Sequence, residues 1–163
     1  MGTIRVLPAE GIEALLRTAV VGRIACCGHG LSGDGRPYLV PLAYGYDGDA
    51  IYAHSGPGRK LDLMRAEPRV TFEVDEAEAS DRWRSVIAEG TFEEIDDPRQ
   101  RDAALAVIYG PTAIPDLGTQ TVVFRIRLTS RSGRYETPDR LGSTSIENAA
   151  SLGREDGPWP TTG

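Results

Sequence analysis

Apolar residues recur three or four positions apart in three stretches of the chain, a spacing that predicts short amphipathic helices. Pro68 stops the second of these helices, because a proline ring cannot continue a helix. The third opens with Asp97 as a capping side chain and Pro98 at the first helical position, and it closes on Gly110. The stretches are 8–19 (PAEGIEALLRTA), 58–68 (GRKLDLMRAEP) and 97–110 (DPRQRDAALAVIYG).

Six other stretches are rich in β-branched and aromatic residues and predict strands separated by turns. The DGD sequence at 47–49 is a strong hairpin signal, and the order of the first three strands suggests an antiparallel meander. The fifth stretch is long enough to bend at Gly90. The stretches are 20–27 (VVGRIACC), 36–46 (RPYLVPLAYGY), 50–55 (AIYAHS), 69–76 (RVTFEVDE), 83–95 (WRSVIAEGTFEEI) and 119–130 (TQTVVFRIRLTS).

The last predicted strand is half-buried, and the chain changes character after it. Every second residue from Val122 to Leu128 is apolar, whereas Val123 and two arginines fall on the opposite face. The chain then becomes polar and loses all apolar periodicity. We therefore expect one domain over residues 1–132 and a polar tail over residues 133–163 that is mobile or packed against a partner subunit.

Composition narrows the class of protein. With 163 residues, 40% of them apolar, the chain has the size of one globular domain. A net charge of -6 argues against a nucleic-acid partner, which would require a basic face. No signal peptide, long apolar run or lipidation motif is recognisable, so we expect a cytoplasmic protein without a membrane partner.

Gly28, Gly30 and Gly33 match the GxGxxG spacing that holds a dinucleotide pyrophosphate. That site also needs a helix that opens within the glycine motif. Here the residues that follow, Asp34 to Pro37, predict a turn into another strand. The glycines are therefore interpreted as turn residues, and the loop is expected to return the chain antiparallel.

Cys26 and Cys27 are the two cysteines of the chain, and they are adjacent on a predicted strand. Neighbouring strand residues point to opposite faces, so the pair is not expected to form an ordinary disulfide or a chelating site. Both are interpreted as small, mostly buried apolar residues.

A candidate anion site lies where the third predicted strand ends and the second helix begins. His54 and Ser55 end the strand, a Gly-Pro-Gly corner follows, and Arg59 and Lys60 open the helix. Free backbone N–H groups, the positive end of the helix dipole and two cations would converge there, as a phosphate monoester requires. The alternative is a basic turn exposed to solvent, and spacing alone does not decide between the two.

The run GRIACC…DGRPYLVPLAYGYDGDAIYAHSGPGRKLDLMRAEPRVTFEVDE, followed by WRSVIAEGTFEEI, resembles the pyridoxamine 5′-phosphate oxidase-like, FMN-binding split-barrel family. The similarity covers about residues 8–131 and is greatest to the branch of nitroimidazole-resistance reductases. It implies a mainly β (α+β) fold: a six-stranded antiparallel Greek-key split barrel with flanking helices. It also implies a homodimer with two FMN molecules at the subunit interface.

The same resemblance implies roles for individual residues. His54 matches a histidine that faces the flavin and the substrate pocket, so it is the candidate catalytic residue that positions or protonates the acceptor. Tyr38 and Trp83 have an alternative role as barrel aromatics, and His54 as a polar strand-end residue. The residues expected to bind the cofactor are Tyr38, Leu39, Val40, Pro41, Leu42, His54, Ser55, Arg59, Lys60, Trp83 and Ser85.

The resemblance implies an FMN-dependent reductase or oxidase, in which NAD(P)H or another reductant reduces the flavin and a small organic molecule accepts the electrons. No catalytic triad, carboxylate pair or metal-ligand spacing appears, and neither His29 nor His54 lies in a zinc-type cluster. The chain also lacks the Arg-Leu-x-Pro ending of true pyridoxamine phosphate oxidases, so vitamin B6 chemistry is not expected.

Other interpretations remain open at this point. Related split barrels bind a deazaflavin or haem, and FAD is a further candidate cofactor. The protein is alternatively a non-enzymatic dimer that binds or senses a flavin, or a structural barrel with a degenerate site. A flavin that no nicotinamide reduces would indicate the non-enzymatic alternative.

Overall fold

The structure is a computed structural model that describes residues 2–28, 35–111 and 114–138. Its strands are β1 (Thr3–Val6), β2 (Val21–Cys26), β3 (Tyr38–Ala43), β4 (Gly45–Tyr46), β5 (Ala50–Ser55), β6 (Arg69–Ala79), β7 (Arg82–Glu94) and β8 (Val122–Thr137). Its helices are α1 (Ala9–Thr18), α2 (Arg59–Ala66) and α3 (Pro98–Tyr109).

All three helices occur where apolar spacing predicted them. The side chain of Asp97 accepts a hydrogen bond from the backbone N–H of Gln100, and Pro98 occupies the first turn of α3. Gly110 ends that helix with a φ of 80°, a conformation that glycine adopts without strain. Within the described part of the chain, no helix is both long and apolar enough to cross a membrane.

The strands form one antiparallel sheet in the order β3-β2-β6-β7-β8-β5-β4, and β1 pairs with the far end of β8. This arrangement confirms the predicted class, a split barrel with flanking helices, and β1 and β4 are short additions to the six predicted strands. The expected meander is wrong at Tyr44. There the chain leaves the β2–β3 hairpin, and the β4–β5 hairpin crosses over to pair with β8, so β3 and β4 form the two edges of the sheet.

The predicted bend at Gly90 is confirmed. The register between β7 and β8 shifts between Glu89 and Gly90, which is the signature of a bulge. A Cβ atom at Gly90 would lie 2.6 Å from the carbonyl oxygen of Arg127, so the close approach of the two strands requires glycine.

The core fills the inside of the curved sheet. Side chains from alternating positions of the strands meet those of α1 and α2, and Phe72 and Phe124 at its centre are fully buried. Each such side chain stabilises the fold by roughly 1.5–3 kcal/mol relative to an exposed position. The central members of the cluster are Leu15, Leu16, Ile24, Ile51, Leu61, Met64, Phe72, Val74, Phe124 and Ile126.

A second, smaller core lies between α3 and the outside of the sheet, and it corrects one expectation. The alternation along the last strand predicts Val123 on its polar face, but Val123 is fully buried against Ile95, Ala104 and Leu105. Helix α3 covers that face, so at this position β8 is apolar on both faces: one packs against the helix and the other against the main core. Alternation along a strand cannot reveal a helix that comes from elsewhere in the chain.

The last strand also runs past the expected end of the domain at residue 132. It continues through Thr137 and pairs with β1, a strand that the sequence analysis did not predict. Tyr135 is buried, so this part of the chain belongs to the packed fold rather than to a polar tail. Residues 139–163 of the expected tail lie outside the described residues.

Candidate functional site

The candidate site is built around the first turn of α2, in the opening between the edge strand β3 and the end of β5. The Gly-Pro-Gly corner at residues 56–58 joins β5 to this helix, and Arg59 and Lys60 are its first two residues, as predicted. A Cβ atom at Gly56 or Gly58 would meet no atom within 4 Å, so the corner faces open space. We call Arg59 and Lys60 together with the first turn of α2 the cationic corner.

Arg59 links the helix to the sheet edge. Its guanidinium carbon lies 5.0 Å from the centre of the Tyr38 ring, within the range of a cation–π interaction. Tyr38 is the first residue of β3, so this contact spans the opening of the barrel. The stacking holds the planar guanidinium in place and leaves its N–H groups available for an anion.

Lys60 is less exposed than Arg59. Its cation is near enough to Cys26 of β2 and His54 of β5 to act electrostatically on both. Burial lowers the pKa of Lys60, because the ammonium loses part of its hydration. A bound phosphate would supply a counter-charge.

The pairing pattern of other arginines sets the cationic corner apart. Arg65 and Arg84 pair with glutamates at 2.6 and 2.7 Å. Among residues 2–28, 35–111 and 114–138, no carboxylate lies within 4.0 Å of the cationic groups of Arg59 or Lys60. Two cations and the positive end of a helix dipole therefore meet without a carboxylate from the described residues, and this donor set suits a phosphate monoester.

His54 lies at the end of β5 beside this corner. Its Nε2 atom is hydrogen-bonded to the hydroxyl of Tyr109, and the centres of the two rings are 5.7 Å apart. Burial lowers the pKa of His54, and the Lys60 cation lowers it further. His54 is therefore neutral at pH 7, a form in which one ring nitrogen donates and the other accepts.

The sequence analysis did not predict Tyr109 as a site residue. The available signal was its position, since it is the last residue of α3, directly before the glycine that ends this helix. Only the fold reveals that this helix end lies against β5, 55 residues earlier in the chain.

Ser55 and the strand β3 complete the near side of the site. The Ser55 hydroxyl donates to the carbonyl of Gly56 at 2.9 Å, so its oxygen can still accept a hydrogen bond. Leu39 and Pro41 project outward from β3, whereas Leu42 is buried in the core. Of the described strands, only β2 pairs with β3, so the free backbone edge of β3 borders the opening of the barrel.

Trp83 and Ser85 do not join these residues within one chain. Val123 of β8 pairs with His54, whereas Arg134 of the same strand pairs with Ser85. Eleven residues of extended chain separate Val123 from Arg134, a path of roughly 36 Å along the strand. The indole N–H of Trp83 donates to Glu136 at 2.9 Å. The structure thus brings Arg59 against Tyr38 and places Lys60 near His54 at one end of the barrel, whereas Trp83 and Ser85 lie at the other. On β3, Val40 and Leu42 pack against the core, so only their backbone could line the site.

The glycine and cysteine predictions have separate outcomes. β2 and β3 pair antiparallel, as the turn interpretation of the GxGxxG motif requires, while Gly30 and Gly33 lie outside the described residues.

Both cysteines are free. Cys26 is buried, but Cys27 is only half-buried and lines a cleft of about 640 Å³ between β2, β6 and β7.

The described residues contain no group of three or more histidine, cysteine or acidic side chains that could hold a metal ion. His54 belongs to this part of the chain, and His29 lies outside it.

Comparison with known proteins agrees with this fold. A family model described as pyridoxamine 5′-phosphate oxidase matches residues 8–135. A FAD-binding protein from Mesorhizobium loti is 38% identical, with a TM-score of 0.68 over 82% of this chain and 99% of that one. A candidate 5-nitroimidazole antibiotic resistance protein from Bacteroides thetaiotaomicron has a TM-score of 0.69 at 20% identity, over 83% of this chain and 89% of that one. The last similarity concerns the fold alone.

An uncharacterized protein from Rhizobium meliloti is 33% identical over 92 residues, which span 56% of this chain and 58% of that relative. The strand order and the matched structures define the fold as an antiparallel split barrel. With the family match, the chain belongs to the pyridoxamine 5′-phosphate oxidase family, as its motifs predicted.

Proposed function

We propose that the protein is an FMN-dependent oxidoreductase that reduces a small organic acceptor. The observation that supports this proposal best is the cationic corner, where Arg59 and Lys60 lie at the start of α2 without a carboxylate partner among the described residues. The fold alone does not define the activity, because one fold occurs in proteins with many different functions.

The residues at the corner would divide the work of binding. Arg59, stacked on Tyr38, offers two parallel N–H groups to the phosphate, and Lys60 offers a point charge from a less hydrated position. The free backbone edge of β3 and the side chains of Leu39 and Pro41 would lie along the ring and the ribityl chain. The Ser55 oxygen would accept a hydrogen bond from the ribityl chain.

His54 would act on the acceptor. A flavin supplies hydride and electron transfer by itself when bound, so the protein must position the acceptor and exclude water. Neutral His54 has one ring N–H, which can donate a hydrogen bond to the acceptor and hold a proton at that position.

The identity of the cofactor is part of the proposal. FMN follows from the resemblance, but the Mesorhizobium loti relative, at 38% identity, is a FAD-binding protein. A cationic corner can hold the terminal phosphate of FMN or the pyrophosphate of FAD, so FAD is the specific alternative. Deazaflavin and haem remain less favoured alternatives.

We further propose that the protein works in the cytoplasm as a homodimer. The outer face of the sheet carries a row of residues that pair directly from strand to strand. The row runs across β3, β2, β6 and β7 through Pro41, Arg23, Glu73 and Ile87. Leu39 and Ile87 on this face are 61% and 49% exposed. Trp83 and Ser85 precede Ile87 at two-residue steps on the same face of β7. A second copy docked there would present its Trp83 and Ser85 to the first copy's flavin.

The test is a visible spectrum of the purified protein, followed by anaerobic mixing with NADPH or NADH and then with a nitroaromatic acceptor. We expect the purified protein to contain bound flavin, whose visible absorbance is lost on reduction by the nicotinamide and recovered on reoxidation by the nitro compound. Bound flavin that neither reagent changes would instead favour a flavin-binding or sensing dimer. Absence of any flavin, even after incubation with excess FMN or FAD, would refute both.

A further inference from the structure

The hydrogen bond between His54 and Tyr109 joins two distant elements at the edge of the candidate site. His54 is the second-last residue of β5, and Tyr109 ends α3, where Gly110 turns the chain away with a φ of 80°. The two rings are tilted by 33° with their centres 5.7 Å apart, so they meet at the hydrogen bond rather than by stacking face to face.

The hydroxyl of Tyr109 is held in place by the packing of its helix. Ala104 and Leu105 of α3 are buried against Val123, the residue that pairs with His54 across the sheet. Tyr109 itself packs against this cluster. The helix and the strand are thus fixed to each other independently of any ligand, and the hydrogen bond forms on a rigid base.

The protonation state of His54 decides which group donates. Among the described residues, the charged or titratable groups that face it are Lys60 of α2 and Tyr109 of α3, while its partner on β8 is the apolar Val123. An imidazolium would stand beside the Lys60 cation and would have no lone pair to offer the phenol. A neutral ring accepts from the phenol, because an imidazole nitrogen is a better acceptor than a phenol oxygen.

We propose that Tyr109 is a positioning residue: its hydroxyl donates to Nε2 of His54 and so keeps the imidazole proton on Nδ1, the nitrogen left to face the acceptor. In a neutral histidine, the hydrogen bond at one nitrogen sets which nitrogen carries the proton. The expected effect on turnover rests on the proposed function, but the tautomer of His54 can be measured without a flavin.

The test is nitrogen NMR of the protein labelled with ¹⁵N-histidine. The chain has two histidines, so a His29→Asn variant assigns both pairs of ring signals. We expect His54 to show a protonated Nδ1 and an unprotonated Nε2 at pH 7. In Tyr109→Phe we expect a mixture of tautomers and a higher pKa for His54, because the phenol no longer stabilises the neutral ring.

Tyr52→Phe is the matched control. Tyr52 lies two residues before His54 on the same face of β5 and packs against the same cluster under α3, but its hydroxyl bonds to Asp47. This variant should leave the tautomer and pKa of His54 unchanged. Circular dichroism of both variants checks that the fold is retained.

Turnover supplies the second measurement. With the nitroaromatic acceptor, Tyr109→Phe should lower kcat roughly tenfold and shift its pH profile, while KM and flavin content stay near those of the wild type. A wild-type His54 with its proton on Nε2, or a Tyr109→Phe variant with unchanged tautomer or unchanged kcat, would overturn the inference. Loss of the proposed function would appear differently, as a wild-type protein without flavin or turnover.

Discussion

Removing the two cations of the cationic corner should selectively weaken binding of the flavin phosphate. The perturbation is Arg59→Ala with Lys60→Ala, at the first two positions of α2. Neither side chain pairs with a carboxylate of the described residues, so the substitutions leave no buried acid without a partner. Alanine also favours a helix, and α2 should therefore persist.

The magnitude follows from the bonds that would be lost. Interactions between charged groups and the phosphate contribute about 1.5–3 kcal/mol each, so with one such contribution counted for each lost side chain the double variant should lose about 3–6 kcal/mol of binding free energy. Since about 1.4 kcal/mol corresponds to a tenfold change, the dissociation constant for FMN should rise by about 10²- to 10⁴-fold. The backbone N–H groups of the first turn remain and should preserve residual binding.

The assay is titration of the apoprotein with FMN and with riboflavin, which lacks the phosphate. Wild-type protein should prefer FMN to riboflavin by at least the same 10²- to 10⁴-fold, and the double variant should lose most of that preference while it binds riboflavin normally. Arg65→Ala is the matched control, because Arg65 lies on the same helix but pairs with Glu94 at 2.6 Å. Equal losses for FMN and riboflavin, or an Arg65→Ala variant as weak as the double variant, would refute the reasoning.

Three further predictions concern the scaffold. Gly45→Ala would place a Cβ 2.4 Å from the carbonyl oxygen of Val107, so thermal denaturation should show a loss of about 1–3 kcal/mol, and an unchanged Tm would disprove this clash. Asp97→Ala removes the cap of α3 and should cost about 1 kcal/mol in urea unfolding, whereas Asp97→Asn should cost less; equal costs would contradict a capping role. Burial, and to a smaller extent a hydrogen bond to Glu13, raises the pKa of Tyr46 to about 12, so the free energy of unfolding should fall as pH rises from 10 to 12. Tyr46→Phe should make this fall less steep. If the variant lost stability with pH as steeply as the wild type, Tyr46 would not be the source of the fall.

Local signals account for the parts of the fold that the sequence predicted well. Pro68 and Gly110 end helices through their own backbone chemistry, and Gly90 permits a bulge at its own position. Arg59 and Lys60 were found for the same reason, since a corner and the helix that follows it are contiguous in the chain.

Long-range packing accounts for what was missed. Nothing near Ala50 indicates that β5 pairs with β8 instead of β3, because that choice depends on residues more than 70 positions away. The burial of Val123 depends on α3, and the partner of His54 lies 55 residues further on. The separation of Ser85 from the cationic corner likewise follows from strand order.

The most direct test of flavin binding at the cationic corner is a crystal structure of the protein grown with excess FMN. We expect the phosphate to accept hydrogen bonds from Arg59, Lys60 and the first-turn N–H groups of α2, with Tyr38 beside it and Ser85 of a second copy facing the ring. A phosphate bound elsewhere, with the start of α2 in contact only with solvent, would show that the cationic corner does not bind the flavin.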